Sequence, residues 1–192
     1  MRDWKLERQG LDSYVVRHRN DSLLLTKART TSIICEWNQW EKYYLPDFSL
    51  DGKTVLDVGA GCGETAYFYF QHGVKRVIAV EIDPVQVGLL KRNSNLNSWN
   101  SETHELKIIH RAFELEDLRR EKFDFAKIDI EGGEANLLKL DTIDFPLVME
   151  VHGIDLRERL VQKFGFSILV KALPLEEVWL LGNQAHRHFS VK

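Results

Sequence analysis

A glycine-rich loop between a buried strand and a helix is the feature that most constrains this chain. Residues 55–63 read VLDVGAGCG and join the apolar run 54–58 to a helical pattern over 64–72. Glycines at alternate positions adopt backbone angles that other residues resist, and they let a ligand approach bare main chain. The start of the next helix adds free N–H groups. The sequence therefore predicts a ligand site where the first strand of an α/β sheet ends.

Apolar runs alternate with helical patterns from about residue 53 onward, which predicts a parallel sheet covered on both faces. The predicted strands are 54–58, 77–81, 106–110, 123–130 and 147–152, and helices follow four of them, over 64–72, from Pro84, over 134–140 and over 155–164. Two last strands, 166–170 and 178–181, are joined by a link too short for a crossover helix, so they should form an antiparallel hairpin. We predict an α/β fold with a doubly wound, mostly parallel, seven-stranded sheet and a C-terminal antiparallel hairpin at one edge.

The first 50 residues differ in character from the rest and hold three of the five tryptophans. Ser32 is the predicted N-cap of a helix whose large apolar residues recur on one face, namely Ile33, Trp37, Trp40 and Tyr44. This stripe either packs on the sheet or forms a lid or substrate wall, because aromatic faces also stack on sugars and bases. We therefore expect residues 1–50 to be an extension packed on or capping a core domain of residues 51–192.

Composition and charge exclude several classes of protein. Apolar residues make up 44% and charged residues 29%, as in a globular domain with a core, and 26 Lys and Arg against 29 Asp and Glu disfavour a basic surface for nucleic acid. Cys35 and Cys62 are too far apart for a Cys-x-x-Cys pair, which argues against a disulfide scaffold or a cysteine zinc site. With no signal-peptide pattern and no apolar stretch that could span a bilayer, we expect a cytoplasmic protein without a membrane partner.

An acid after the loop indicates which ligand it holds. Glu81 ends the next predicted strand, 24 residues beyond Asp57, where a carboxylate can accept hydrogen bonds from both hydroxyls of a ribose. The glycines are spaced G-x-G-x-G and not G-x-G-x-x-G as in the dinucleotide fingerprint. Asp57 would repel a pyrophosphate but can pair with the ammonium of a methionine-like tail. The pattern favours S-adenosylmethionine over NAD, with an ordinary strand-to-helix turn as the plainer alternative.

These residues resemble motif I of the class I S-adenosylmethionine-dependent methyltransferases, and the likeness continues through AVEIDP at 79–84. Residues 127–134, KIDIEGGE, are similar to a signature of the FkbM family, whose best-known members O-methylate sugars. The segments LVMEVH at 147–152 and FGF at 164–166 fit the same family, so the likeness covers about residues 55–166. It implies a Rossmann-like methyltransferase fold with S-adenosylmethionine as the cofactor.

The resemblance also implies which residues hold the cofactor. The loop glycines would lie along it, Asp57 near its methionine end and Glu81 on its ribose, while the residues after the third strand would border the adenine. The expected cofactor-binding set is Asp57, Gly59, Ala60, Gly61, Gly63, Glu81, Ile82, Ala112, Phe113 and Asp129.

A second group of polar residues follows the fourth and fifth strands. Asp129 and Glu131 lie two apart and point to the same side, and Glu150 and His152 repeat that geometry. Methyl transfer needs alignment, exclusion of water and removal of a proton from the acceptor, so we expect His152 or Glu131 as the base with Asp129 beside them. Acids such as Glu134 also suit a helix N-terminus. Carboxylate and imidazole donors suit Mg²⁺ or Mn²⁺, but the sequence alone assigns no metal ligand.

The expected function is transfer of a methyl group to an oxygen or nitrogen of a small-molecule or sugar-like acceptor. One alternative is an RNA methyltransferase, which the acidic balance and the absence of an Asn/Asp-Pro-Pro-aromatic motif after the fourth strand disfavour. The other is a non-catalytic cofactor-binding module that acts through a protein partner held by its aromatic N-terminal face.

Overall fold

The computed structural model describes residues 4–10, 12–171 and 178–182. The chain begins with a three-stranded antiparallel sheet of β1 (Trp4–Arg8), β2 (Ser13–His18) and β3 (Asp21–Thr26). The sequence does not predict these strands, because the apolar residues of β2 and β3 form runs of three and not an alternating pattern.

Helix α1 (Lys27–Tyr44) follows β3 directly and begins six residues earlier than the sequence predicts. The N-cap is Thr26, whose side chain accepts a hydrogen bond from Arg29 N at 3.4 Å. The prediction of Ser32 as N-cap is wrong, since Ser32 lies inside the helix and donates to Glu36 Oε2 at 3.0 Å. The hydroxyl of Thr26 satisfies a free N–H group of the first turn, so the helix starts where β3 ends.

The main sheet has seven strands, β4 (Thr54–Val58), β5 (Arg76–Glu81), β6 (Glu105–His110), β7 (Phe125–Ile128), β8 (Leu147–His152), β9 (Ser167–Lys171) and β10 (Val178–Gly182). Their order is β6-β5-β4-β7-β8-β10-β9, in which the first five are parallel and β10 is antiparallel to both β8 and β9. The predicted sheet and its terminal hairpin are confirmed. The link over 172–176 lies outside the described residues.

Helices cover both faces of this sheet. They are α2 (Glu64–Gln71), α3 (Pro84–Leu96), the short α4 (Asp117–Arg120), a 3₁₀ helix (Gly133–Lys139) and α5 (Ile154–Phe164). The helix predicted over 134–140 is the 3₁₀ helix, which at seven residues is longer than most 3₁₀ segments. No helix in the described part of the chain is long and apolar enough to cross a bilayer.

Successive residues of the central strands enter two separate cores. Val55, Val77 and Ala79 pack with α1 and α2 on one face, where Trp40, Tyr67 and Phe68 lie. Leu56, Ile78 and Val80 pack on the other face, with α5 and the 3₁₀ helix. Because side chains alternate along a strand, a strand covered on both faces is apolar at most of its positions, which explains the apolar runs.

The N-terminal sheet is attached to the core through two asparagines, one in α3 and one that caps its C-terminus. Asn93 is fully buried, and its side-chain amide exchanges hydrogen bonds with Leu24 N at 2.7 Å and Leu24 O at 2.9 Å. It also donates to the carbonyl of Cys62 in the glycine loop at 2.8 Å. One turn later, Asn97 makes the same pair of bonds with the backbone of Ser22. The two amides thus satisfy the free edge of β3 as a neighbouring strand would.

We expect Asn93→Ala to lower the free energy of unfolding by about 2–4 kcal/mol, because buried backbone groups of Leu24 and Cys62 lose their partners. Urea denaturation followed by tryptophan fluorescence measures this change. Asn95→Ala, at an exposed position of the same helix, is the matched control and should change stability by less than about 0.5 kcal/mol. Equal effects of the two substitutions would contradict the proposed attachment.

Candidate active site

The glycine loop takes the backbone conformation that its spacing predicts. Gly59, Gly61 and Gly63 have φ values of 77°, 58° and 91°. A Cβ on Gly59 would lie 1.7 Å from the carbonyl oxygen of Asp129, so glycine is also required because the ends of two neighbouring strands meet here. A Cβ on Gly63 would lie 2.4 Å from Leu90 Cδ1. The bare main chain therefore serves close packing of the protein at these two positions, a use that the sequence does not indicate.

A first cavity of about 420 Å³ opens at the carboxyl ends of β4, β5 and β7. This volume is in the range of about 300–1,000 Å³ that small-molecule sites have. Six of the expected cofactor residues line it, namely Gly59, Glu81, Ile82, Ala112, Phe113 and Asp129. Asp57, Ala60, Gly61 and Gly63 do not line it, and all four are buried.

Glu81 is a buried carboxylate fixed on the wall of this cavity by three backbone donors. Its Oε2 accepts from Gly61 N, and its Oε1 accepts from Ile82 N and Asp83 N, each at 2.8 Å. These bonds hold the acid rigidly and leave about one of its four lone-pair sites, on Oε2, for a ligand's hydroxyl. The arrangement suits a ribose, and the assignment of Glu81 to it stays a prediction.

Asp57 lies below the loop and not in the cavity. It is fully buried, accepts from Thr65 Oγ1 at 2.5 Å and lies 3.4 Å from Lys127 Nζ, which is in register with it on β7. Burial raises the pKa of Asp57. Burial also disfavours the charge of Lys127, but Asp57 and Asp129 outweigh this effect and raise its pKa. A cation of the protein itself thus occupies the place expected for the ammonium of the methionine tail.

Arg29 of α1 is a site residue that sequence motifs do not identify. Its Nε donates to Gln86 Oε1 at 3.0 Å and lies 3.3 Å from Oε1 of Glu64, a buried acid at the start of α2. It lines the first cavity and also a second one. The sequence offers one indirect indication of this role. Glu64 directly follows the glycine loop, and a buried carboxylate there needs a positive charge from elsewhere in the chain.

The second cavity, of about 440 Å³, lies between α1 and the ends of β7 and β8. It shares Arg29, Asp83, Gln86, Asp129 and Glu131 with the first, so the two cavities adjoin. Trp40 and Tyr44 line it while their rings pack in the core, so the predicted stripe of α1 is both a packing face and a cavity wall. Six carboxylates face this space, from Glu36, Glu64, Asp83, Asp129, Glu131 and Glu150, against the two cations Arg29 and Lys127.

The acids and the histidine of β7 and β8 converge as predicted, because these strands are neighbours. His152 Nε2 lies 3.4 Å from Glu131 Oε2 and 3.9 Å from Glu150 Oε1. The carboxylate of Glu134, and then those of Glu131 and Glu150, raise the pKa of His152 to about 9. Burial and the charge of Asp129 raise the pKa of Glu150 to about 7. His152 is therefore cationic at neutral pH, which differs from the neutral base that we expect from its type alone.

Comparison with known proteins agrees with this geometry. The family model of ribosomal protein L11 methyltransferase (PrmA) matches residues 30–128, which are just over half of the chain. The chain belongs to this family of class I S-adenosylmethionine-dependent methyltransferases. The methyltransferase FkbM domain model matches residues 100–168, which confirms the resemblance of the later motifs. The enzyme's cofactor is S-adenosylmethionine, and its placement in the first cavity stays a prediction.

Curated relatives match this methyltransferase over short segments. The electron transfer flavoprotein beta subunit lysine methyltransferase of Homo sapiens is 43% identical over 49 residues, 26% of this chain and 19% of its own length. The ribosomal protein L11 methyltransferase of Aliivibrio fischeri (strain MJ11) is 37% identical over 68 residues, 35% of this chain and 21% of its own length. The matches thus span about a fifth of these relatives.

Solved structures share the fold over most of the methyltransferase. TYW2 of M. jannaschii, in complex with AdoMet, has a TM-score of 0.57 at 18% identity and covers 93% of this chain and 87% of its own. The precorrin-6y C5,15-methyltransferase of Geobacter metallireducens has a TM-score of 0.52 at 17% identity and covers 77% and 84%. Both confirm the Rossmann-like methyltransferase fold.

We expect Glu81→Gln to weaken binding of S-adenosylmethionine about tenfold or more, because one charged acceptor for the ribose is lost. Isothermal titration calorimetry with S-adenosylmethionine and with S-adenosylhomocysteine measures the affinity, and circular dichroism checks the fold. Glu102→Gln, at an exposed position before β6, should bind like the unchanged protein. Unaltered affinity in a folded Glu81→Gln variant would rule out the ribose assignment.

Proposed function

We propose that this methyltransferase acts on an amine nitrogen, and that its acceptor is a lysine side chain of a protein. The observation that carries the proposal is the charge of the second cavity, where six carboxylates face two cations. A cleft lined by an excess of one charge attracts ligands of the opposite charge. An ammonium group is the acceptor precursor that this lining favours.

The relative position of the two cavities supports transfer between them. Asp129 and Glu131 line both, so an acceptor in the second cavity would approach the methyl group of a cofactor in the first. Methyl transfer from a sulfonium is an in-line displacement, for which alignment and exclusion of water are the main requirements. The adjoining cavities would supply that alignment.

The walls of the second cavity suit a long amine. Trp40 and Tyr44 offer aromatic surface for an aliphatic stem or a cation, and Tyr44 Oη lies 3.5 Å from Glu150 Oε2. Glu36, Glu131 and Glu150 would hold the ammonium at the head of that stem. The nitrogen attacks once its proton has passed to a carboxylate or to water. In this arrangement His152 does not line the acceptor site but contacts Glu131 and Glu150, which do.

The names of the relatives agree with an amine acceptor, since the human relative is a lysine methyltransferase. The FkbM domain match, over residues 100–168, instead favours a hydroxyl oxygen of a sugar-like or other small molecule as a second candidate. An RNA would bring phosphates to an excess of carboxylates, which disfavours it.

A methyl-transfer assay with labelled S-adenosylmethionine separates these candidates. Acceptors would be a peptide with one lysine, the same peptide with norleucine in its place, a methyl glycoside and a short RNA. We expect label on the lysine peptide and none on the norleucine peptide. Label on the glycoside or the RNA, with none on the lysine peptide, would refute the proposal.

Within that assay, we expect Glu36→Gln to raise the KM of the lysine peptide about two- to fivefold with little change in kcat, because a solvent-exposed charge contributes up to about 1 kcal/mol. The effect should fade at high salt. Glu41→Gln is the matched control, because Glu41 is also an exposed glutamate of α1 but lies near His72, 3.4 Å from its Nε2, and does not line the second cavity. If both variants change KM equally, general charge and not the cavity determines binding.

A further inference from the structure

Three side chains from separate elements place metal-binding atoms close together beside the two cavities. Asp129 follows β7, Glu134 belongs to the 3₁₀ helix and His152 ends β8. One donor atom from each lies within 4.8 Å of the other two. Asp129 lines both cavities, so this group touches the place where they adjoin.

Glu134 is a buried carboxylate with one oxygen unused. The residue has no exposed surface, and its Oε1 accepts from Ile130 N at 2.9 Å. Its Oε2 is enclosed and has no hydrogen-bond partner among the described residues. A buried carboxylate oxygen without a partner is unfavourable by several kcal/mol unless a cation or donor satisfies it. This oxygen is an observation independent of the clustering of acids.

His152 presents a second enclosed atom to the same place. Its Nδ1 lies 3.7 Å from Glu134 Oε1, beyond hydrogen-bond distance, and has no hydrogen-bond partner in the described structure. Glu134 Oε2 and His152 Nδ1 thus make no hydrogen bond within the described structure, and a cation bound between them would displace the proton that His152 carries at neutral pH. Glu131 and Glu150 lie nearby and add negative charge, while Lys127 Nζ lies 3.5 Å from Asp129 Oδ2.

We propose that Asp129, Glu134 and His152 bind one divalent cation, with Mn²⁺ as the ion that best suits two carboxylates and an imidazole. Carboxylates favour Mg²⁺, Ca²⁺ or Mn²⁺, and the imidazole shifts that preference toward a first-row transition metal. Donors about 2.1 Å from an ion are at most about 4.2 Å apart, so separations of up to 4.8 Å need only a small movement of the side chains. Three protein ligands leave coordination positions for water or for an acceptor oxygen.

The proposed cation site is independent of the proposal that the acceptor is an amine, and its test requires no methyl transfer. The full chain is freed of metal with EDTA, dialysed and titrated with Mn²⁺ in the absence of cofactor and acceptor. Electron paramagnetic resonance measures free Mn²⁺, and a thermal-shift experiment reports stabilisation. We expect one Mn²⁺ per chain and a higher melting temperature at saturating metal.

Variants separate direct ligation from general attraction by acids. Glu134→Gln keeps an acceptor for Ile130 N but removes the charged oxygen, and we expect it to weaken Mn²⁺ binding at least tenfold. His152→Gln should do the same, and it keeps the test decisive if Glu134→Gln fails to fold. Asp155→Asn, an exposed acid on α5, is the charge-matched control and should bind Mn²⁺ like the unchanged protein.

The outcomes are distinct from those of the acceptor assay. No Mn²⁺ bound at 100-fold excess, or equal weakening by all three variants, would overturn the cation site and leave the amine acceptor untouched. One bound Mn²⁺ that both ligand variants lose, with Asp155→Asn unchanged, would establish it whichever acceptor is methylated.

Discussion

The buried ion pair between Asp57 and Lys127 holds together the part of the sheet on which the site depends. The two residues are partners in register on β4 and β7, where the order of parallel strands changes direction. Lys127 Nζ also donates to Gly59 O at 2.9 Å and lies 3.5 Å from Asp129. Burying charges costs several kcal/mol per ion, so the pair persists only because each member has further partners. One lysine thus links the glycine loop, the motif I acid and the acid between the two cavities.

The N-terminal part of the chain completes the site and does not merely precede it. α1 supplies Arg29 to both cavities and the aromatic wall to the second. It is held there because β3, which leads into α1, is bonded to α3 by Asn93 and Asn97. Asp83, the N-cap of α3, donates its N–H to Glu81, so the same helix that anchors the N-terminal sheet also borders the first cavity.

The main sheet follows from sequence pattern, while the surroundings of the site do not. Strands covered on both faces are mostly apolar, so β4, β5, β7 and β8 stand out as apolar runs that only a few polar residues, Asp57 and Lys127 among them, interrupt. Strands β2 and β3 carry short apolar runs without a distinctive period, although Val16, Leu23 and Leu25 are buried in the core. From the sequence, Asp57 is predicted to contact the cofactor because its residue type and position fit motif I. Its actual partner, Lys127, lies 70 residues away along the chain and becomes its neighbour only through the pairing of β4 with β7.

By itself the sequence determined the α/β fold, the glycine loop with its positive φ angles, the terminal hairpin and the cofactor, because each depends on local spacing or on apolar periodicity. The tertiary structure alone decided what those residues face. Arg29, Glu134 and the acids of the second cavity come from elements far apart in the chain. Their charges matter through distances of a few ångströms, and such distances are set by how helices and strands pack and not by the order of residues.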